Sequence, residues 1–231
     1  MKGWLFFLLV LPLTAQGAEM IRIPAQGAAP AFLLEKTEVT QQEFNNYLKA
    51  TIYKNRKNWP PKPPVQPQAA AVNVSWLEAQ GYCRHFGKRL PSQAEWEQAA
   101  GPLAYPWGDA PLTGKKANFC DVQCNSPWHD LLSNDGNSRQ APVGSYPEGA
   151  SKEGVLDLAG NVWEWTSTRF GGGEMPWKGE QYSTEEFQQE MAIKGGSYGS
   201  KPDQLKTKET QPSPMTFKNA HVGFRCAQDL P

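Results

Sequence analysis

The sequence predicts a single loop-rich α+β domain, and three observations carry that prediction. Its 231 residues suit one large mixed domain. Its 21 glycines and 20 prolines follow no period, which excludes a collagen-like chain and marks many turns. Ser/Thr-x-x-Glu capping boxes begin at Thr40 and Ser92, whereas the half after Gly101 is turn-punctuated and rich in aromatic residues. Nine Trp, ten Phe and seven Tyr supply bulk for a core.

Residues 1–18 read as a secretory signal peptide and 19–231 as one domain. Lys2 gives a positive start, Trp4 to Leu13 is apolar, and small residues lead to a cleavage point near Gly17 or Ala18. The apolar run is shorter than the roughly 20 residues of a spanning helix. Ile21–Ile23 and Phe32–Leu34 are strand-like. Thr40 caps a first helix with Glu43, placing Phe44, Tyr47 and Leu48 on one face. Residues 59–72 hold Pro60, Pro61, Pro63, Pro64 and Pro67, so this stretch is an extended loop. Ser75 opens a second helix with Trp76, Ala79, Tyr82, Cys83 and Phe86 inward, and Gly87 ends it. Ser92 and Glu95 cap a third, whose apolar face is Trp96, Ala99 and Ala100. The rest is turns and short strands, without internal repeats.

Lys+Arg and Asp+Glu both number 23, which argues against a nucleic-acid binder and against a polybasic membrane binder. Four cysteines allow three pairings in an oxidising compartment. Cys120 and Cys124 are near enough for a local bridge, which leaves Cys83 for Cys226. Zinc is disfavoured because neither pair has the C-x2-C spacing and only His85 lies near a cysteine.

Five blocks then occur in order: Gly87-Lys88-Arg89-Leu90-Pro91, Tyr105-Pro106-Trp107-Gly108, Gly160-Asn161-Val162-Trp163-Glu164-Trp165, Gly195-Gly196-Ser197 and Val222-Gly223-Phe224-Arg225-Cys226. Together they resemble the formylglycine-generating-enzyme (sulfatase-modifying factor) family from about Met20 to Pro231. The resemblance implies a variant of the C-type lectin fold. The residues also have a structural reading: the tryptophans and Phe224 as core, Arg225 and Glu95 as a buried pair.

Catalytic members of that family hold copper between two cysteines five apart, just after Gly-Gly-Ser. The matching residues here are Ser200 and Leu205, and neither supplies a thiolate for Cu(I). Trp163 and Ser197, which match residues beside the family's oxygen pocket, are retained. The resemblance therefore implies a noncatalytic chain. His85, His129 and His221 are scattered, and no G-x-S-x-G motif occurs. The resemblance also implies two structural calcium sites, one at Asp157, Gly160, Val162 and Glu164, the other at Asn118, Phe119, Asp135 and Asn137. Hard oxygen donors on irregular turns suit Ca2+. Family members also bridge the positions of Cys83 and Cys226; Cys120–Cys124 has no such counterpart and rests on spacing.

The expected function is that of a secreted periplasmic binding or regulatory protein, recognising its partner through loops 171–189, with Trp177 and Tyr182, and 198–220. In size, compartment and missing thiols the chain resembles the TagR-like proteins, a group acting upstream of a membrane Ser/Thr kinase that controls type VI secretion. The expected partner is thus the extracytoplasmic domain of a membrane receptor or kinase, with membrane association through the partner only. The alternatives are a divergent oxidase or other enzyme with a rebuilt pocket, and a calcium-dependent carbohydrate binder.

Overall fold

The computed structural model describes residues 18–51, 65–179 and 181–230. The signal peptide expected over residues 1–18 lies outside them apart from Ala18, as do four of the five prolines of the 59–72 loop. The fold is α+β and loop-rich, as predicted, with two small sheets. Strands β1 (Met20–Ile23), β2 (Phe32–Glu35) and β7 (Ala227–Asp229) form an antiparallel sheet in the order β1-β2-β7. Strands β3 (Trp163–Arg169), β4 (Glu190–Lys194), β5 (Thr210–Pro214) and β6 (Val222–Gly223) form the other, in the order β5-β4-β3-β6, where β3 and β6 run parallel.

The three expected helices are α1 (Gln41–Ala50), α2 (Trp76–His85) and α3 (Gln93–Ala100), each with a full capping box, from Thr40 to Glu43, Ser75 to Glu78 and Ser92 to Glu95. A fourth, α4 (Thr184–Phe187), has the same device between Ser183 and Glu186. Sequence reading passed over it because four residues carry no helical periodicity. Helix α2 ends one residue before Phe86, since Gly87 takes φ 70° and turns the chain away. Phe86 is therefore 43% exposed rather than inward.

Trp76, Tyr82, Trp165, Phe224 and the Cys83–Cys226 bridge share one core between α2 and the four-stranded sheet. Trp96 packs with Ile23, Phe32 and Leu158 in a second, beneath the three-stranded sheet. Both bridges form as expected: Cys83–Cys226 ties α2 to the residue before β7, and Cys120–Cys124 closes a five-residue loop. Tyr182, expected on a recognition loop, is core. Its ring meets Trp76 edge-on at 6.1 Å and its hydroxyl donates to the Pro176 carbonyl.

Candidate functional site

A cleft of about 380 Å3 opens beside β5 and β6, walled by Trp128, Trp163 and Phe217. It is lined by Ser200, one of the two positions where the family resemblance implies a metal, but not by Leu205. Glycines 195 and 196 end β4 and turn Ser197 inward. The Ser197 hydroxyl lies 3.3 Å from Ser200 Oγ and 3.3 Å from His221 Nδ1. Its backbone N–H donates to Ser200 Oγ at 3.0 Å. Tyr198 stacks on the His221 ring at 4.4 Å. Burial, aided by the positive field of Arg139, holds the His221 pKa below its ordinary value, so the imidazole is neutral at pH 7. Leu205 does not face this cluster. It is fully buried in a separate apolar group with Ala117, Phe119 and Ala159.

Behind the cleft wall, Asp157 and Asn161 both adopt left-handed backbone, at φ 60° and 57°, on either side of Gly160 at φ 85°. Such a run is costly for residues with a Cβ and is kept here by its contacts. A Cβ on Gly160 would lie 2.1 Å from the Asn118 carbonyl oxygen, so only glycine fits. The turn presses Asp157 against Glu38, and both carboxyls are buried. Burial raises both pKa values, and Asp157 raises that of Glu38 further. Asp157 accepts from Gly144 N–H at 2.5 Å, and Glu38 Oε1 accepts from Asn161 Nδ2 at 2.9 Å. The two side chains also hydrogen-bond to each other, and with both pKa values raised one carboxyl holds a proton for the other.

Glu164, expected to share a cation with Asp157, is engaged elsewhere. Its oxygens accept Arg225 Nε at 2.7 Å and Nη2 at 2.8 Å, and Trp96 Nε1 at 2.9 Å. Arg225 thus pairs with Glu164 rather than with Glu95, which pairs with Arg89 at 2.6 Å. The structure brings Asp157 together with Glu38, a residue that sequence reading missed. No local signal marks Glu38, because its burial is made by residues more than a hundred positions away.

In the second expected set, Phe119 and Asn137 meet Asp135 through their N–H groups rather than through the expected carbonyls. Asp135 accepts from Phe119 N–H at 2.9 Å and Asn137 N–H at 2.8 Å, and burial pushes its pKa up to about 6. Asn118 donates through Nδ2 to Arg139 O and Asn161 Oδ1, which leaves its Oδ1 buried and unpaired. Asn118 and Asn161 therefore link the two acid-bearing loops.

The Sulfatase-modifying factor enzyme 1-like domain family matches residues 13–230. The chain belongs to this family. It is 34% identical to the formylglycine-generating enzyme of Thermomonospora curvata over 184 residues, covering 71% of this chain and 57% of that one. It is 28% identical to the hercynine oxygenase of Mycolicibacterium thermoresistibile, over 87% and 51% of the two chains. It is also 32% identical to the inactive C-alpha-formylglycine-generating enzyme 2 of Bos taurus, over 68% and 49%. The chain spans about half the length of these curated relatives. Among solved structures, PvdO from Pseudomonas aeruginosa superposes with a TM-score of 0.65 at 23% identity, over 93% of this chain and 92% of that one. CarF superposes at 0.63 and 17% identity, over 93% and 99%. These likenesses establish the fold.

Within this family scaffold the donors do not suit copper: Ser200 offers a hydroxyl, and Leu205 an aliphatic side chain turned into the core. Asn118 Oδ1 is a buried oxygen without a hydrogen-bond partner, whereas the buried Glu38 and Asp157 carboxyls hydrogen-bond to each other. Among the described residues no three acidic, His or Cys side chains converge, so a cation here would rely on neutral oxygens for most of its shell.

Proposed function

We propose that this chain is a noncatalytic member of the family: a periplasmic binding and regulatory protein, exported by its N-terminal segment, whose loops are pinned by calcium. Its target on this reading is the extracytoplasmic domain of a membrane receptor or Ser/Thr kinase, in the manner of a type VI secretion regulator. The observation that carries the reading is the burial of Leu205. A lost thiolate replaced by a packed leucine leaves no coordination position to refill. The two disulfides are compatible with an extracytoplasmic location.

The test incubates the exported protein with Cu(I), oxygen and a cysteine-containing peptide and follows the peptide by mass spectrometry. An unchanged thiol is expected, and loss of the thiol would overturn the reading. Equilibrium binding to purified extracytoplasmic kinase domains, in calcium, tests the regulatory half.

One observation favours a second reading, an enzyme with a rebuilt pocket. Ser197 Oγ sits 3.3 Å from a neutral histidine at the base of an open cleft, the pairing an acyl-transfer nucleophile needs. Labelling of Ser197 by a fluorophosphonate, lost in His221→Ala, would establish it.

A further inference from the structure

The loop between Cys120 and Asp135 presents an apolar tip that neither reading uses. Leu131 and Leu132 stand 72% and 97% exposed at the corner of a turn. Turn corners are normally given to Gly, Asn, Asp, Ser or Pro, because those residues satisfy the local backbone and lie in water. Two consecutive leucines break that rule without any packing gain within the described chain. The turn is nevertheless built firmly. Asp130 accepts from Leu132 N–H at 2.9 Å and from Ser133 Oγ at 2.7 Å. Asp130 N–H donates to the Cys120 carbonyl at 2.8 Å, Val122 N–H to that of Ser133, and the Cys120–Cys124 bridge closes the base.

Trp128, in the same loop as the tip, and Phe217 stand half-exposed at the mouth of one cleft. Lys201 holds its ammonium 5.5 Å over the Trp128 ring. Arg139 is exposed, and its charge is felt by Tyr198 and His221. Neither Lys201 nor Arg139 has an ion-pair partner among the described residues, and Asp203, the nearest acid in sequence to Lys201, is paired with Lys206 at 2.6 Å. The side-chain oxygens of Asp130 are turned into the loop itself. The face is thus an aliphatic tip, an aromatic collar and a positive rim.

We propose that this face seats directly on an anionic lipid surface, with Leu131 and Leu132 entering the acyl boundary, Trp128 and Phe217 at headgroup level, and Lys201 and Arg139 meeting phosphates. Interfacial tryptophan beside lysine matches the composition of membrane–water boundaries. The preformed loop has little conformational freedom left to lose on insertion.

The experiment is flotation of the exported, purified protein with vesicles of phosphatidylethanolamine and phosphatidylglycerol (3:1) and with phosphatidylcholine vesicles, at low and physiological salt. Binding to the anionic vesicles is expected, weakened by salt. Leu131→Asp/Leu132→Asp should lower the partition at least tenfold, and Lys201→Glu or Arg139→Glu at least about fivefold each. All four side chains are exposed, so unchanged thermal melts verify folding. Absence of flotation, or flotation untouched by the leucine changes, would overturn the proposal. So would leucine variants that lose a protein ligand while keeping vesicle binding. The vesicles contain no protein, so the result stands apart from the regulatory reading.

Discussion

Arg225 and Glu164 form an ion pair with both side chains completely buried, 2.7 and 2.8 Å apart at its two contacts. The remaining guanidinium donors reach the carbonyls of Glu35, Lys36 and Leu156. One side chain therefore joins β2, β3 and the Asp157 turn. Burial alone would lower the Arg225 pKa, but Glu164 together with Glu38 and Asp157 outweighs it and the net shift is upward. Removing one partner leaves the other charged in a dry interior. Arg225→Met or Glu164→Gln is expected to cost about 3–5 kcal/mol in urea denaturation. The double replacement should cost less than the sum of the two. Additive losses would show that the pair is not coupled.

The two bridges differ in the chain they close. Cys83–Cys226 spans 143 positions and Cys120–Cys124 spans four. The chain-entropy relation assigns about 5 kcal/mol to the first and about 2 kcal/mol to the second. Paired Cys→Ala variants should follow that order in chemical denaturation. A larger loss from Cys120→Ala/Cys124→Ala would mean that the short bridge supports native contacts beyond its own loop.

Calcium should act through Glu38. With ion at about a hundred times its dissociation constant, stabilisation of roughly 2.7 kcal/mol is expected, a rise in Tm of about 5–10 °C over protein in chelator. Glu38→Gln keeps the shape and removes the charge, so it should abolish most of that rise, as should Asp157→Asn. Equal melting temperatures in calcium and chelator for the unaltered protein would remove calcium from the account.

His221 makes stability depend on pH in one direction. Its folded pKa is depressed, by burial first and by Arg139 second, below the unfolded value of about 6.5. Its neutral form faces the hydroxyls of Ser197 and Tyr198. The contribution is complete above about pH 7.5 and is lost as pH falls through 6.5 toward the folded pKa, because the unfolded chain takes up its proton first. Comparing pH 7.5 with pH 5.5, His221→Asn should lose less stability than the unaltered protein. Equal losses would show that the cluster does not sense the proton.

Much of the scaffold was legible locally. A Ser or Thr three residues before a Glu satisfies orphan donors wherever a helix begins, so Thr40, Ser75 and Ser92 announced their helices without tertiary help. The same box at Ser183 escaped notice because α4 has only four residues and no periodic face. The bridges followed from counting four cysteines and from spacing.

By itself the sequence determined the fold class, the starts of α1, α2 and α3, the bridges, the family, and the absence of thiols at Ser200 and Leu205. These are matters of residue identity and short-range spacing. The tertiary structure decided which charges meet. Arg225 turned to Glu164, Glu95 to Arg89, and Asp157 to a Glu38 that no motif marks. It also put Tyr182 in the core and left Leu131 and Leu132 in the open. The reason is physical: burial and electrostatic pairing are made by groups far apart in the chain, as Asn161 and Glu38 are at 123 positions and Arg225 and the Glu35 carbonyl at 190. The desolvation that gives such a pairing its strength exists only once the chain has folded.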